Sequence, residues 1–340
     1  MTQADVKQVD AIFEGGGVKG VGLVGAVAVT EERGYSFQCM AGTSAGAIVA
    51  SLLAAGYRAP QLKLFLDRLD YGDFCDGDAL DRLPMVGRGL NICFEKGIFQ
   101  GRFLQEWLRE LLLRAPRRVR TFADLRTDED DPRYRYRLQV IATDISNGRL
   151  LTLPGDIARF GIEPDALDVA FAVRMSMSIP FFYEPVILKD GNGEDVYIVD
   201  GGVLSNFPVW IFDDGTSEPP WPTFGYKLVE PGGGGPQVIS GAFSLAEAVL
   251  RTMLEAHDAR YLEAASFVRT VAIPTLGVRT TEFDLSREKS EALYQSGRNG
   301  AEAFFAQWDF DAYKARFRQA KPACRRIREL ASGAGAAAPD

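Results

Sequence analysis

Residues 11–56 read AIFEGGGVKGVGLVGAVAVTEERGYSFQCMAGTSAGAIVASLLAAG, and this stretch decides the fold. It contains two glycine-bearing turns, GGGVKG at residues 15–20 and GTSAG at residues 42–46. Each turn follows a short apolar run and precedes a longer run of small residues, an order that predicts strand, turn, helix, strand, turn, helix. In a parallel sheet both turns emerge at the carboxyl ends of neighbouring strands, where open α/β folds place their sites. We therefore expect the two turns to lie close together and to carry the chemistry.

The composition is that of a globular protein. The chain has 340 residues, of which 46% are apolar and 25% are charged, so it contains enough apolar material for a sizeable core. Its net charge is −8 and its pI is near 5.0. This charge argues against a nucleic-acid-binding protein, because such a protein needs a basic face.

The sequence favours a cytoplasmic setting. The N-terminal residues MTQADVKQVD are polar and acidic, so we expect no signal peptide. The longest apolar runs are shorter than the ~18 residues that a membrane span needs. No CxxC pair occurs among the four cysteines, which are Cys39, Cys75, Cys93 and Cys324. We expect a soluble protein in a reducing compartment, with a peripheral position at a membrane surface as an open alternative.

Beyond residue 56 the apolar pattern predicts helices over 61–70, 103–113, 167–173 and 245–267, and strands over 138–143, 196–199, 223–229 and 267–273. The sequence leaves two interpretations open for each of four features. Residues 71–101 are either a lid or loops packed on the core, and residues 175–183 are either core or the wall of an acyl-chain pocket. The basic residues 114–120 are either a solvated face or a contact for lipid headgroups. Asp144 either acts in the site or caps a turn.

Ser44 is the candidate nucleophile. It lies at the apex of a G-x-S-x-G turn between Gly42 and Gly46, where the sharp backbone leaves no room for side chains on either side. The helix that follows begins at Ala45, so its free N–H groups face the position of a developing oxyanion. Glycine and serine also occur together in ordinary tight turns, so the motif needs a base to support it.

Two residues compete for the role of that base. His257 is the only histidine, and it lies in a helical run among charged neighbours, which favours a surface residue over a member of a Ser–His–Asp triad. Asp200 is the better candidate, because it ends a predicted strand as Ser44 does and is followed by Gly201 and Gly202. The ordinary pKa of an aspartate is about 3.9, so we expect a weak base that depends on oxyanion stabilisation.

The glycines of residues 15–20 supply a candidate for that stabilisation. Successive glycines after a strand turn their N–H groups inward as an anion-binding nest, so the amides of Gly15, Gly16 and Gly17 with that of Ala45 form a candidate oxyanion hole. Lys19 either fixes this loop or adds positive potential. A nucleotide-phosphate cradle is the rival interpretation, but the P-loop spacing fails and the acidic residue of the dinucleotide fingerprint is absent.

Together the three motifs, GGGVKG at 15–20, GTSAG at 42–46 and DGG at 200–202, resemble those of the patatin-like phospholipase family. The segment AVRMSMSIPFFYEP at 172–185 is similar to that family's proline-containing segment before the aspartate, and the resemblance covers about residues 10–212. It implies a three-layer α/β/α sandwich with a mainly parallel central sheet and a Ser44–Asp200 dyad with an oxyanion hole from the glycine loop. It also implies hydrolysis of lipid acyl esters without a metal or cofactor. Supporting positions are Val18, Lys19, Gly20, Gly42, Gly46, Gly201 and Gly202.

We therefore expect a single domain over residues 1–331, in which 213–331 complete the fold, followed by a disordered tail at 332–340. The hypothesis is a serine acyl hydrolase of the phospholipase A or lysophospholipase type that works through an acyl-enzyme. Acyl transfer at the same site is one alternative, and a module that binds a phosphorylated ligand in the glycine loop is another. Calcium is not expected, because Asp76-Gly77-Asp78 does not continue as an EF-hand loop. The headgroup, the positional preference and the oligomeric state stay open.

Overall fold

The computed structural model describes residues 6–69, 99–213, 219–230, 248, 252, 264–280, 282 and 285–317. These residues contain eight strands: β1 (Lys7–Phe13), β2 (Tyr35–Thr43), β3 (Leu138–Asp144), β4 (Arg149–Leu153), β5 (Val186–Lys189), β6 (Asp195–Asp200), β7 (Thr223–Val229) and β8 (Thr270–Pro274). The helices are α1 (Gly20–Glu32), α2 (Ala45–Ala54), α3 (Ala59–Arg68), α4 (Arg102–Arg114), α5 (Val169–Ser176), α6 (Ala264–Val268), α7 (Arg287–Phe305) and α8 (Phe310–Phe317).

All eight strands belong to one sheet. Its order is β5-β6-β3-β2-β1-β7-β8, with β4 paired to β3 beside this path. The central pairings β3–β2, β2–β1, β1–β7 and β7–β8 are parallel, whereas β4, β5 and β6 pair in antiparallel fashion. The prediction of an α/β fold with a mainly parallel central sheet flanked by helices is confirmed.

Both faces of the central strands are buried, which is why these strands read as nearly continuous apolar runs. One face of β1 contributes Val9, Ala11 and Phe13 to the large cluster that also contains the buried residues of α1, α2, α4 and α5. The opposite face contributes Ile12 to a smaller cluster with Phe207 and its neighbours up to Phe212. Every residue of α2 is buried, so the helix that follows Ser44 lies inside the molecule.

Four elements were not predicted, namely β4, β5, α7 and α8. The strand expected at 267–273 begins only at Thr270, because Phe267 lies in α6. The reason for missing α7 is its mode of packing. A side chain at Gly297 would collide with the carbonyl of Gly22, and one at Gly25 would collide with the carbonyl of Tyr294. α1 and α7 therefore touch through backbone at glycines, and the larger aromatic side chains of α7, Tyr294, Phe304 and Phe305, are only partly buried against the core.

Several sequence hypotheses fall outside the described residues. These are His257, Asp76-Gly77-Asp78, the tail at 332–340, most of the helix expected over 245–267, and the possible lid over 71–101 apart from residues 99–101. Among the helices that the structure describes, none combines the length and the apolar character needed to cross a bilayer.

Candidate active site

The two glycine-bearing turns meet at the carboxyl edge of the sheet, as predicted. β1 and β2 are adjacent and parallel, with Phe13 paired to Gly42, so the chain leaves both strands at the same level. The contact is close: a Cβ atom added to Gly15 would lie 3.0 Å from the Ser44 Cβ atom. Glycine at position 15 therefore allows the loop to reach the serine.

Ser44 occupies a strained turn between β2 and α2. Its backbone has φ 53° and ψ −128°, a conformation that costs a non-glycine residue about 1–3 kcal/mol. The flanking glycines explain how the turn closes, since a side chain at Gly42 would collide with the Gly46 backbone and one at Gly46 with the Phe13 carbonyl. The side chain of Ser44 is itself buried.

Asp200 reaches Ser44 from the opposite direction along the sheet. β4 occupies one edge of β3 over residues 140–144, so β2 and β6 must both pair with the other edge. There β2 ends at Thr43, opposite Ile141, and β6 ends at Asp200, opposite Ala142. β2 and β6 therefore run head-on along one edge of β3. Their ends bring the serine and the carboxylate together.

The Asp200 carboxyl group has one oxygen engaged and one oxygen open. Oδ1 accepts a hydrogen bond of 2.8 Å from the Gly202 amide, and Oδ2 is buried with no hydrogen-bond partner among the described residues. The Ser44 Oγ atom is turned toward the Met177 sulfur, 3.4 Å away. The Ser44 hydroxyl is also close enough to the Asp200 carboxyl to lower its pKa.

Burial raises the pKa of the Asp200 carboxyl from 3.8 to about 7, because the charged form loses its hydration. The nearby Ser44 hydroxyl and the Gly202 amide act in the opposite direction on this pKa and only partly offset the loss. The expectation of a weak base at the ordinary aspartate pKa is therefore corrected. A base with a pKa near neutrality is better matched to proton transfer at physiological pH.

The glycine loop presents some of its amides and uses others to hold its own shape. The Gly15 amide donates to the Asn206 carbonyl at 3.3 Å, and the Val18 amide donates to the Thr280 carbonyl at 3.2 Å. By contrast, the amides of Gly16, Gly17 and Ala45 donate no hydrogen bond to any described residue. Gly17 has φ 56°, which turns the loop toward α1. The set of open amides thus differs from the sequence expectation by the loss of Gly15.

Two residues that sequence reasoning missed fix this loop. Asn206 donates from Nδ2 to the Gly15 carbonyl at 3.1 Å. Asn206 therefore bonds Gly15 twice, through its side chain and through the Asn206 backbone carbonyl. Glu14 is buried and pairs with Lys227 at 2.8 Å, while its other oxygen accepts from the Leu228 amide. Both bonds join the loop to parts of the chain that are distant in sequence, and only the position of Glu14 beside the glycines hinted at its role.

The remaining motif positions support the backbone. Val18 packs in a small apolar cluster with Val21, Val278 and Leu293, and the Lys19 amide donates to the Gly16 carbonyl at 3.2 Å. A side chain at Gly201 would collide with the Ile141 carbonyl. Asp144 caps a turn by accepting from the amide and the side chain of Asn147, so the turn interpretation is correct. No metal-sized cluster of histidine, cysteine, aspartate and glutamate occurs in the part of the chain that the structure describes.

A small apolar cavity of about 40 Å³ opens beside these groups. Gly17, Ala45 and Met177 line it near the serine, and Ile48, Leu66 and Trp107 are among the residues that form its walls. The segment 175–183, which the sequence assigns either to the core or to the wall of an acyl-chain pocket, contributes residues to both. Met177 and Ile179 line the cavity, Met175 and Tyr183 are in the core, and Phe181 is exposed.

The basic segment 114–120 lies away from the site. The Arg117 amide donates to the Ala55 carbonyl at 2.9 Å, and Ala55 follows the end of α2 that is remote from Ser44. A helix of this length spans ~15 Å. Arg114, Arg117, Arg118 and Arg120 are exposed there.

Comparison with known proteins gives matches over most of the chain. Residues 11–213 match the patatin-like phospholipase family. The uncharacterized protein YqhO of Bacillus subtilis is 38% identical over 304 residues, which cover 89% of this chain and 99% of that protein. The uncharacterized protein R571 of Acanthamoeba polyphaga mimivirus is 24% identical over 208 residues, which cover 59% and 60% of the two chains.

A solved structure shares the fold. VipD from Legionella pneumophila superposes with a TM-score of 0.54 at 17% identity, over 88% of this chain and 66% of that chain. This chain thus spans about two thirds of VipD. At such low identity the likeness concerns the fold alone.

Proposed function

The chain belongs to the patatin-like phospholipase family, and on that premise we propose that it hydrolyses lipid acyl esters with Ser44 as nucleophile and Asp200 as base. The observation that carries the proposal is the meeting of Ser44 with a buried carboxylate whose Oδ2 atom lacks a donor among the described residues. Nucleophile and base within reach of each other, with the base held by a third group, is the arrangement that activates a serine.

The first half of the reaction forms the acyl-enzyme. The Ser44 Oγ atom attacks the ester carbonyl carbon while its proton passes to Asp200 Oδ2. The carbonyl oxygen becomes an oxyanion, which the amides of Gly16, Gly17 and Ala45 stabilise, and a single such donor is worth roughly 2.7–4 kcal/mol. The bond to the leaving alcohol then breaks, and Asp200 returns the proton to the alcohol oxygen.

The second half releases the fatty acid. A water molecule gives a proton to Asp200 and attacks the acyl-enzyme carbonyl through the same oxyanion geometry. The bond to Ser44 breaks, and Oγ recovers its proton from Asp200. The helix dipole of α2, whose positive end lies at Ala45, adds to the stabilisation of negative charge in both halves.

The substrate class is supported by the cavity. Its walls near Gly17, Ala45 and Met177 adjoin the open amides, so an ester carbonyl placed among those amides directs its acyl chain into the apolar space. Burying such a chain is favourable by about 0.8 kcal/mol per CH₂ group. We propose phospholipids or lysophospholipids presented at a lipid surface as the source of the ester.

Fluorophosphonate labelling followed by mass spectrometry of the labelled peptide tests the proposal. We expect modification at Ser44 in the wild type, none in Ser44→Ala, and at least a 100-fold slower rate in Asp200→Asn. Ser51→Ala is the matched control, because this buried serine donates to the Ile48 carbonyl in α2 and has no part in the dyad. Fatty-acid release from lysophospholipid micelles is measured for the same variants, and we expect its rate to change in the same order. Labelling at full rate in Asp200→Asn would refute the dyad.

A further inference from the structure

Ser176 closes the hydrogen-bond ladder between β2 and β3 at the point where the chain leaves the sheet. Its hydroxyl accepts a 2.8 Å hydrogen bond from the Ser44 amide and donates a 2.5 Å hydrogen bond to the Ile141 carbonyl. Ser176 is fully buried at the last position of α5. One hydroxyl therefore joins the nucleophile, β3 and the helix that leads to Met177.

The register of β2 against β3 shows which backbone hydrogen bond this hydroxyl replaces. The Met40 amide donates to the Arg137 carbonyl at 2.8 Å, and a parallel ladder repeats such bonds every two residues. Ser44 and Ile141 both lie four residues further on, so their amide and carbonyl are the pair due for the next ladder bond at this end. The Ser176 Oγ atom is inserted between them. Two bonds in series hold the strands further apart than one direct bond would.

We propose that Ser176 is a positioning residue for the nucleophile: its inserted hydroxyl keeps the Ser44 backbone turned out of the sheet. The inference rests on the proposed function, since it concerns the same serine. A direct bond from the Ser44 amide to the Ile141 carbonyl would continue β2 as a strand and draw φ of Ser44 from 53° toward the extended region. The Oγ atom would then leave the level of Asp200. With the hydroxyl in place, both backbone groups are satisfied and the turn persists.

Two substitutions separate the hydrogen bonds from the packing. Ser176→Ala removes the hydroxyl, and Ser176→Cys keeps a similar volume but offers only a weak donor and acceptor. We expect kcat and the rate of fluorophosphonate labelling to fall about 10–100-fold in both variants, because small misplacements of a reacting group cost this much. We expect KM to change less than about twofold. Ser51→Ala removes an equally buried serine hydroxyl from α2 and should leave kcat unchanged.

A crystal structure of Ser176→Ala provides a readout that is independent of activity. We expect Ser44 to lose its positive φ and its amide to bond the Ile141 carbonyl directly. A Ser44 φ that stays positive, or wild-type labelling rates in both Ser176 variants, would overturn the inference. A wild type that is never labelled at Ser44 would instead refute the proposed function, and the φ comparison would still decide the role of Ser176.

Discussion

Thr43 and Asp200 are neighbours along one edge of β3, opposite Ile141 and Ala142, although their strands run in opposite directions. The sheet itself therefore sets the separation between the serine that follows Thr43 and its proposed base. Both strands are hydrogen-bonded to the same third strand, so the pair does not depend on the conformation of a long loop. This is the kind of rigid support that a catalytic pair needs.

The rate should depend on the ionisation of Asp200. Because burial raises its pKa to about 7, we expect hydrolysis of a water-soluble ester to rise with pH, to reach half its maximum near pH 7 and to fall about tenfold per unit at lower pH. Initial rates between pH 5 and 9 measure this. Asp10 is a suitable control, since burial also raises its pKa to about 7 at a position on β1 remote from Ser44. Asp10→Asn should keep the profile, and a wild-type midpoint near pH 4 would contradict the assignment.

The same burial should make Asp200 costly for folding once it is charged. Its folded pKa of about 7 exceeds its ordinary value of 3.8, so between these values the folded state holds a proton that the unfolded state has released. Stability then falls as pH rises through this window. We expect Asp200→Asn to melt above the wild type at pH 8, by on the order of 2–4 °C per kcal/mol of relieved cost. The difference should vanish at pH 4, and equal melting temperatures at pH 8 would count against a charged, buried Asp200.

Asn206 should influence the reaction without touching the dyad. Its side chain donates to the Gly15 carbonyl and lies 3.5 Å from the Glu14 carboxylate, so Asn206→Ala frees the loop that carries Gly16 and Gly17. We expect kcat to fall about tenfold or more with little change in KM, because the loop carries the proposed oxyanion donors and the outright loss of one donor costs roughly 100–1,000-fold. Asn192→Ala is the control, since this asparagine lies in an exposed turn and bonds only Asp190. An unchanged kcat in Asn206→Ala would show that the loop holds its geometry alone.

The cavity should set the preferred chain length. Ile48 lies on its wall, one helical turn beyond Ala45, so Ile48→Phe shortens the available space and Ile48→Ala extends it. We expect the first variant to favour short-chain p-nitrophenyl esters and the second to favour long ones, each by several-fold in kcat/KM, since each CH₂ group buried is worth about 0.8 kcal/mol. Leu64→Phe adds similar volume at an exposed position of α3 and should change no preference. Identical chain-length profiles in all variants would assign the acyl chain to another surface.

The part of the candidate site that the sequence could predict lies at strand ends. Gly15 and Ser44 each follow an apolar run, and parallel neighbours bring such positions to one edge of the sheet. Asp200 also ends an apolar run, but its strand β6 runs antiparallel to β3. It did not find Asn206, Glu14 or Ser176, because their roles depend on bonds to partners that lie far away in the chain. The base strength of Asp200 also escaped prediction, since burial changes a pKa without leaving a local pattern.

Two of the elements missed by sequence have separate physical causes. β5 has four residues and only one of them is buried, which is too short a pattern to recognise. α7 buries Ser290, Ser296, Gly297 and Ala301 together with one leucine. Its closest contact with α1 is made by small residues, while its larger apolar side chains, Tyr294, Phe304 and Phe305, are only partly buried against the core.

The arginines at the remote end of α2 constrain how this protein would rest on a bilayer. Their segment is joined to Ala55, whereas Ser44 lies at the other end of the same helix. A molecule that turned the Ser44 end of α2 toward the lipid would hold these positive charges about 15 Å further away, beyond a Debye length of about 8 Å. In that orientation these four arginines should contribute little to attachment, whatever the ionic strength or the content of anionic lipid. Lipid capture through the arginines would leave the enzyme facing away from its substrate.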